Sequence, residues 1–237
     1  MSRVAVYSAS RNLYKDAIPA IKSMFLNGKP DKVYFLIEDD EFPEWLPTQV
    51  QTINVSNQPY FTAKSPNYNT KFTVMAIMRA VLAKVLPDED RILSMDCDAF
   101  VIGDITELWE HDIGDFYVSA SREPYLCRWE KVYYNTGVSI HNLKAIREDK
   151  IDDQMIWLIS TMPLNCVEQD AINIVCEGNI LDMPSEYNYN NYTAKPRNPV
   201  AIKHYAGYDT NQWSTFPDIM EFKRMDWRDI MARYENR

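Results

Sequence analysis

Short apolar runs alternate along the chain with longer segments that are apolar on one side only. Runs at 4–7, 32–37, 50–55 and 92–95 have the length and branching of buried strands. Segment 14–27 predicts a helix stopped by Gly28, and 70–86 a second one closed by Pro87. Strand and helix in turn predict an α/β fold, a single Rossmann-like domain with a mostly parallel central sheet flanked by helices. Later segments are less regular, with strands expected near 116–120, 133–140 and 200–204 and helices near 143–159 and 168–177. Residues 219–237 set Phe222, Met225, Trp227 and Ile230 among charges, which predicts one amphipathic C-terminal helix docked on its own domain rather than on a membrane surface.

The chain has 237 residues and 46% hydrophobic content, enough for one well-formed core, so 1–237 is expected to be a single domain. A net charge of −9 argues against nucleic acid as a partner, because phosphate backbones need a basic surface. Any phosphate-bearing ligand must be held locally, by a metal or a few placed donors. The opening MSRVAVYSAS has no sustained apolar stretch of a leader, and no segment nears the roughly 18 apolar residues of a membrane span, so a cytoplasmic location is expected. Cys97, Cys127, Cys166 and Cys176 lack the spacing of a zinc site or the density of a disulfide framework and are expected to be reduced.

Ligands of open α/β sheets bind beyond the carboxyl ends of the strands, which sorts the acidic clusters. Asp88, Glu89 and Asp90 precede their strand and read as a solvated turn. Glu38 to Glu41 follow a strand, but adjacent charges cannot all converge and Pro43 directs them outward. Asp96 and Asp98 end the run RILSM at the favoured edge. If the strand continued, both carboxylates would point the same way about 6.6 Å apart, with Cys97 turned away. Like charges that close call for a cation, and oxygen ligands suit a divalent metal; a pair of turn or capping aspartates is the plainer alternative.

Three further features bear on that choice. Arg79 shares a helical face with Phe72, Met75, Leu82 and Leu86, where an apolar residue is expected. A buried guanidinium needs a carboxylate or phosphate partner, so Arg79 either closes a structural ion pair or organises a ligand. Tyr134-Asn-Thr-Gly-Val-Ser-Ile140 puts an amide and a glycine, which admits close backbone approach, at the start of a strand-like segment. Lys203-His-Tyr-Ala-Gly207 puts one of three histidines at the end of another.

LSMDCD at 93–98, YYNTGVSIHNL at 133–143, EQDAIN at 168–173 and HYAG at 204–207, in this order and at these separations, resemble glycosyltransferase family 8. The resemblance covers most of the chain and implies the glycosyltransferase A fold, a UDP-sugar donor, manganese (with magnesium as the alternative) and retention of anomeric configuration. It implies that Asp96, Asp98 and His204 ligate the metal. Arg79, Cys97, Asn135, Gly137 and Gly207, with Ser8, Ser10 and Asn12 after the first strand, would form the donor site. Gln169 and Asp170 would face the anomeric carbon as the catalytic pair, whereas Glu168 complements the helix dipole.

Two positions depart from the family pattern. Ser10 stands where an aspartate commonly contacts uracil, and the stretch after Gly207 lacks the lysine that usually reaches the diphosphate. The expected activity is hexosyl transfer of galactose or glucose to a saccharide or other hydroxyl acceptor, with Tyr187, Tyr189, Tyr192, Tyr208 and Trp213 as candidate acceptor surfaces. The alternative is a catalytically weak sugar-nucleotide or carbohydrate-binding protein. A nucleotidyltransferase would want a glycine-rich basic loop near the N-terminus, and the six glycines form none.

Overall fold

The computed structural model describes residues 2–68, 70, 72–124 and 131–236, so Cys127 lies outside the described residues. The strands are β1 (Val4–Ser8), β2 (Lys32–Ile37), β3 (Val50–Asn54), β4 (Arg91–Met95), β5 (Ala99–Val101), β6 (Val118–Arg122), β7 (Tyr134–Asn142), β8 (Ile180–Asp182) and β9 (Ile202–His204). Seven of them form one sheet in the order β3-β2-β1-β4-β7-β6-β8. Pairing is parallel from β3 to β4 and between β6 and β8, and antiparallel on both sides of β7, so β7 alone runs against the rest. That reversal brings the start of β7 beside the end of β4. β5 and β9 pair separately as a short antiparallel ribbon.

Alternate residues of the central strands face opposite cores, as the period of two requires. Ala5 and Tyr7 pack with α1 (Tyr14–Ser23), while Val4 and Val6 pack with the helices of the other face. Those are α2 (Val74–Ile77) and α3 (Leu82–Val85), and, beyond the short α4 (Thr106–Glu110), α5 (Leu143–Glu148), α6 (Ile151–Thr161) and α7 (Val167–Val175). The chain ends in α8 (Thr210–Trp213), α9 (Pro217–Arg224) and α10 (Trp227–Glu235).

Three expected helices are broken. The 70–86 segment starts late because the Thr70 hydroxyl accepts the Phe72 N–H at 3.1 Å, a turn that competes with helix. It then tightens to a 3₁₀ coil over Met78–Val81, the stretch that carries Arg79. The 143–159 segment splits at Lys150, which adopts φ +54°. The C-terminal segment is two helices, since the Asp226 carboxylate accepts the Arg228 N–H at 2.8 Å and caps α10. Both halves dock on the domain: Trp227 and Tyr234 meet Phe25 edge-on at 5.8 and 5.3 Å, and Lys223 pairs with Asp16 at 3.0 Å. Among the described residues no helix is long and apolar enough to cross a membrane.

Candidate functional site

A cavity of about 580 Å³ opens at the carboxyl edge of the sheet, lined among others by Arg79, Asp96, Asp98, Glu123, Asn135, Glu168, Gln169, Tyr192, His204, Gly207 and Tyr208. Its floor is the junction of β4 and β7, where the Asp96 N–H donates to the Gly137 carbonyl at 2.7 Å. The strand does not continue through Asp98 as the alternation suggested. The chain turns, with the Ala99 N–H on the Asp96 carbonyl at 3.1 Å. This turn, not the pleat, makes the carboxylates converge: ligand atoms of Asp96, Asp98 and His204 lie within 4.8 Å of one another. Cys97 does turn away, its Sγ directed to the Ser8 carbonyl at 3.1 Å, and burial pushes the thiol up to about 12. Burial opposes ionisation of Asp98, but His204, a backbone hydrogen bond and Arg79 together outweigh it and hold the carboxyl below the usual carboxylate range.

His204 reaches the site because the ribbon sets it opposite Ala99. Its ring is oriented by a chain of amides whose polarity is fixed from one end. The Asn135 amide donates to the Glu123 carboxylate at 2.7 Å, so its oxygen is free to accept the Asn188 amide at 2.9 Å. The Asn188 oxygen thus faces His204 Nδ1 at 2.8 Å, which must be the protonated nitrogen. Nε2 is left to face the carboxylates, 3.3 Å from Asp98 and 3.5 Å from Asp96. Outer hydrogen bonds that fix the tautomer are what a metal-ligating histidine requires. Gly137 completes the cradle: a Cβ there would lie 2.7 Å from the Asp96 carboxylate and 2.8 Å from His204 Nδ1. The residues present therefore fit a divalent cation.

Arg79 lies behind this cluster, 5% exposed, and bonds to Asp96, to the Thr136 carbonyl and to Glu168, the last at 3.1 Å. Thr136 is available because β7 slips register against β6: Ala120 pairs with Ser139 and Ser121 with Asn135. The excess residues bulge, and the Thr136 backbone serves side chains instead of the ladder. Its N–H donates to the Gln169 carbonyl oxygen at 3.0 Å and its hydroxyl to Glu168 at 3.0 Å. Glu168 is thus a partner of Arg79 and Thr136 rather than only a helix-dipole residue. Replacing Arg79 by methionine keeps length and packing but strands Glu168, and is expected to cost about 3 kcal/mol of stability. Urea unfolding checks this; a loss under about 1 kcal/mol would mean that the pair is solvated.

The structure separates other expected residues. Asp170 does not line the cavity; it is 1% exposed and accepts hydrogen bonds from Tyr133 and from the Asn165 and Cys166 N–H groups. Ser8 ends β1 and Ser10 and Asn12 follow it, all outside the cavity lining, with Ser8 bonded to the Met75 carbonyl and Ser10 to Asn12. Of the aromatics, Tyr192 and Tyr208 form cavity wall, Tyr187 and Trp213 belong to the core, and Tyr189 lines a neighbouring depression. Gly207 has φ +87°, and a Cβ there would lie 2.5 Å from the Tyr192 hydroxyl. The acidic clusters sort as the edge rule predicted: Glu89 pairs with Lys32, and Asp39 with Arg11 outside the cavity. Sequence reasoning missed Asn188 and Asn190, whose alternation inside the 187–192 stretch was the available signal.

Comparison with known proteins places this geometry. GlyF of Streptococcus pneumoniae is 24% identical over 96% of this chain, which spans 62% of its length. The solved GlyE from the same species superposes with a TM-score of 0.75 at 19% identity, over 100% of this chain and 64% of that one. The galactosyltransferase LgtC, solved with donor and acceptor sugar analogues, superposes with a TM-score of 0.73 at 19% identity, over 97% and 99% of the two chains. The seven-stranded sheet and its helices are thus the glycosyltransferase A fold. Residues 5–215 match the sequence pattern of glycosyl transferase family 8, and the chain belongs to that family.

Proposed function

We propose that this chain transfers a hexose, galactose or glucose, from a UDP-sugar to a hydroxyl of a saccharide or glycoconjugate acceptor, with retention of configuration. Residues 1–237 would act as one catalytic domain, and the free thiols of Cys97, Cys166 and Cys176 suit work in the cytoplasm. The observation that carries the reading is the convergence of Asp96, Asp98 and His204 on the cavity floor. Oxygen ligands with one imidazole favour manganese, magnesium being the alternative. When bound, such a cation supplies the positive charge that a leaving diphosphate needs.

The chain's own residues supply the rest. Asn135 and Gly137 form the floor on which the donor sugar lies, and Arg79 keeps Asp96 and Glu168 in place. The Gln169 carbonyl oxygen stabilises the positive charge that grows on the anomeric carbon as the bond to UDP breaks. Tyr192 and Tyr208 offer flat faces to the sugars. Ser8, Ser10 and Asn12 lie on the nucleoside side. LgtC's solved donor and acceptor complex supports a hexose donor in this fold.

A weaker binding protein of the same fold is the second reading, because among the described residues Arg79 is the one Lys or Arg in the cavity lining and is already engaged. Incubation with UDP-glucose and UDP-galactose plus manganese separates the two. Release of UDP, even by slow hydrolysis, is expected and is abolished by chelator. Binding of both donors without release would establish the binding protein.

A further inference from the structure

The side-chain amide of Gln169 is held at both ends, and the two clamps agree. Its oxygen accepts the Thr136 N–H, and its nitrogen donates to the Tyr133 hydroxyl at 3.1 Å. Tyr133 can accept there because its own proton goes to Asp170 Oδ1 at 2.5 Å. Burial, and then the Asp170 carboxylate, raise the phenol's pKa far above its ordinary value, so Tyr133 remains a donor. Asp170 Oδ2 in turn accepts the Asn165 and Cys166 N–H groups at 2.8 and 2.9 Å. These bonds pin the turn that leads into Val167, a β-branched residue at φ +30° and hence strained.

We propose that Tyr133 and Asp170 are positioning residues that set the orientation of the Gln169 amide, so that its oxygen and not its NH₂ group is the end available to the reaction. The inference rests on the reading of Gln169 given above and reassigns Asp170, which is turned from the cavity. Hydrogen-bond polarity passes in one direction along the row. The backbone N–H groups demand oxygen from residue 170; the remaining oxygen demands the Tyr133 proton; the phenol oxygen then demands the amide nitrogen. An NH₂ group facing an anomeric carbon that gains positive charge would oppose the reaction rather than assist it.

The row makes an unusual prediction for Asp170→Asn. The Asn165 and Cys166 N–H groups capture the new amide's oxygen, which turns its NH₂ toward Tyr133. The phenol then accepts from residue 170 and points its proton at Gln169, favouring the reversed amide. Turnover is expected to fall about 100-fold, the loss typical of one electrostatic group, with UDP affinity within about twofold. Tyr133→Phe alone removes one clamp of two and is expected to cost about tenfold. In the double variant nothing enforces the reversal, so Tyr133→Phe should restore at least about tenfold of the Asp170→Asn loss.

Single-turnover UDP release from UDP-galactose or UDP-glucose with manganese tests this on all four proteins, with thermal melts confirming that each is folded. If the double variant is no faster than Asp170→Asn, or if both single variants match the unaltered protein, the positioning role is wrong. Absence of UDP release from the unaltered protein would instead defeat the reading of the site. A second measurement is independent of turnover: the Gln169 side-chain NH₂ resonance, assigned by its loss in Gln169→Ala. It should shift in Asp170→Asn and move back toward its original position in the double variant; an unmoved resonance overturns the proposal.

Discussion

Replacing Asp98 by asparagine is expected to weaken manganese-dependent UDP binding at least about 100-fold, since even outer partners of metal ligands are worth about 10–100-fold. The amide keeps the volume and shape of the side chain and deletes only its charge. The charge matters because, among the described residues, the lining carries the carboxylates of Asp96, Asp98, Glu123 and Glu168 and the guanidinium of Arg79. That guanidinium is already spent on Asp96, Glu168 and the Thr136 carbonyl. A diphosphate entering without a cation would meet the Asp96 and Asp98 carboxylates directly. Chelation should therefore reproduce the effect in the unaltered protein, and His204→Ala should show a smaller one of about tenfold. Calorimetry with and without chelator is decisive: equal UDP affinity in the two conditions would remove the cation from the donor site.

Gly137→Ala is expected to lower turnover by at least about 100-fold, as a displacement near 1 Å of reacting groups can do. The added methyl has no room. It meets Asp96 on one side and the His204 ring on the other, and neither can retreat. Asp96 is held by Arg79, and His204 is 4% exposed and bonded to Asn188. The backbone cannot move away either, because the Gly137 carbonyl accepts the Asp96 N–H. Overpacking of this kind costs about 1–3 kcal/mol, so the variant should fold with a reduced melting temperature. A folded Gly137→Ala protein with unaltered UDP release would show that the Asp96, Asp98 and His204 cluster is not where the reaction occurs.

β1, β2 and β4 were legible because they are largely buried and read as near-continuous apolar runs. The helix breaks were not. Asp149, just before the break at Lys150, bonds to the Tyr117 hydroxyl across the fold, a tertiary choice with no local signature. Asp96, Asp98, His204, Arg79, Asn135 and Gly137 were legible as charges or special backbone where apolar residues are the rule, and the structure brings all six together. The two aspartates converge through a turn that replaces the extended strand, not through strand alternation. Gln169 and Asp170 are neighbours on a helix, about 100° apart around its axis, and only Gln169 lines the cavity while Asp170 is buried. Asn188 and Asn190 were obscured by the tyrosines around them, because aromatic rings suggest sugar contact more readily than amides suggest ring orientation.

The β5–β9 ribbon has a meaning in time as well as in space. Its three residue pairs join the most distant strands paired in the described structure, Ala99 with His204 and Val101 with Ile202. Closing so long a loop yields few contacts in return, whereas the β1–β2 and β2–β3 pairings close shorter loops with five residue pairs each. Closure of the ribbon is therefore expected to follow those two pairings. His204 arrives with it. During refolding, secondary structure is expected to recover ahead of the complete Asp96, Asp98 and His204 cluster, so that a molecule can show its sheet by spectroscopy while the candidate cation site is still incomplete.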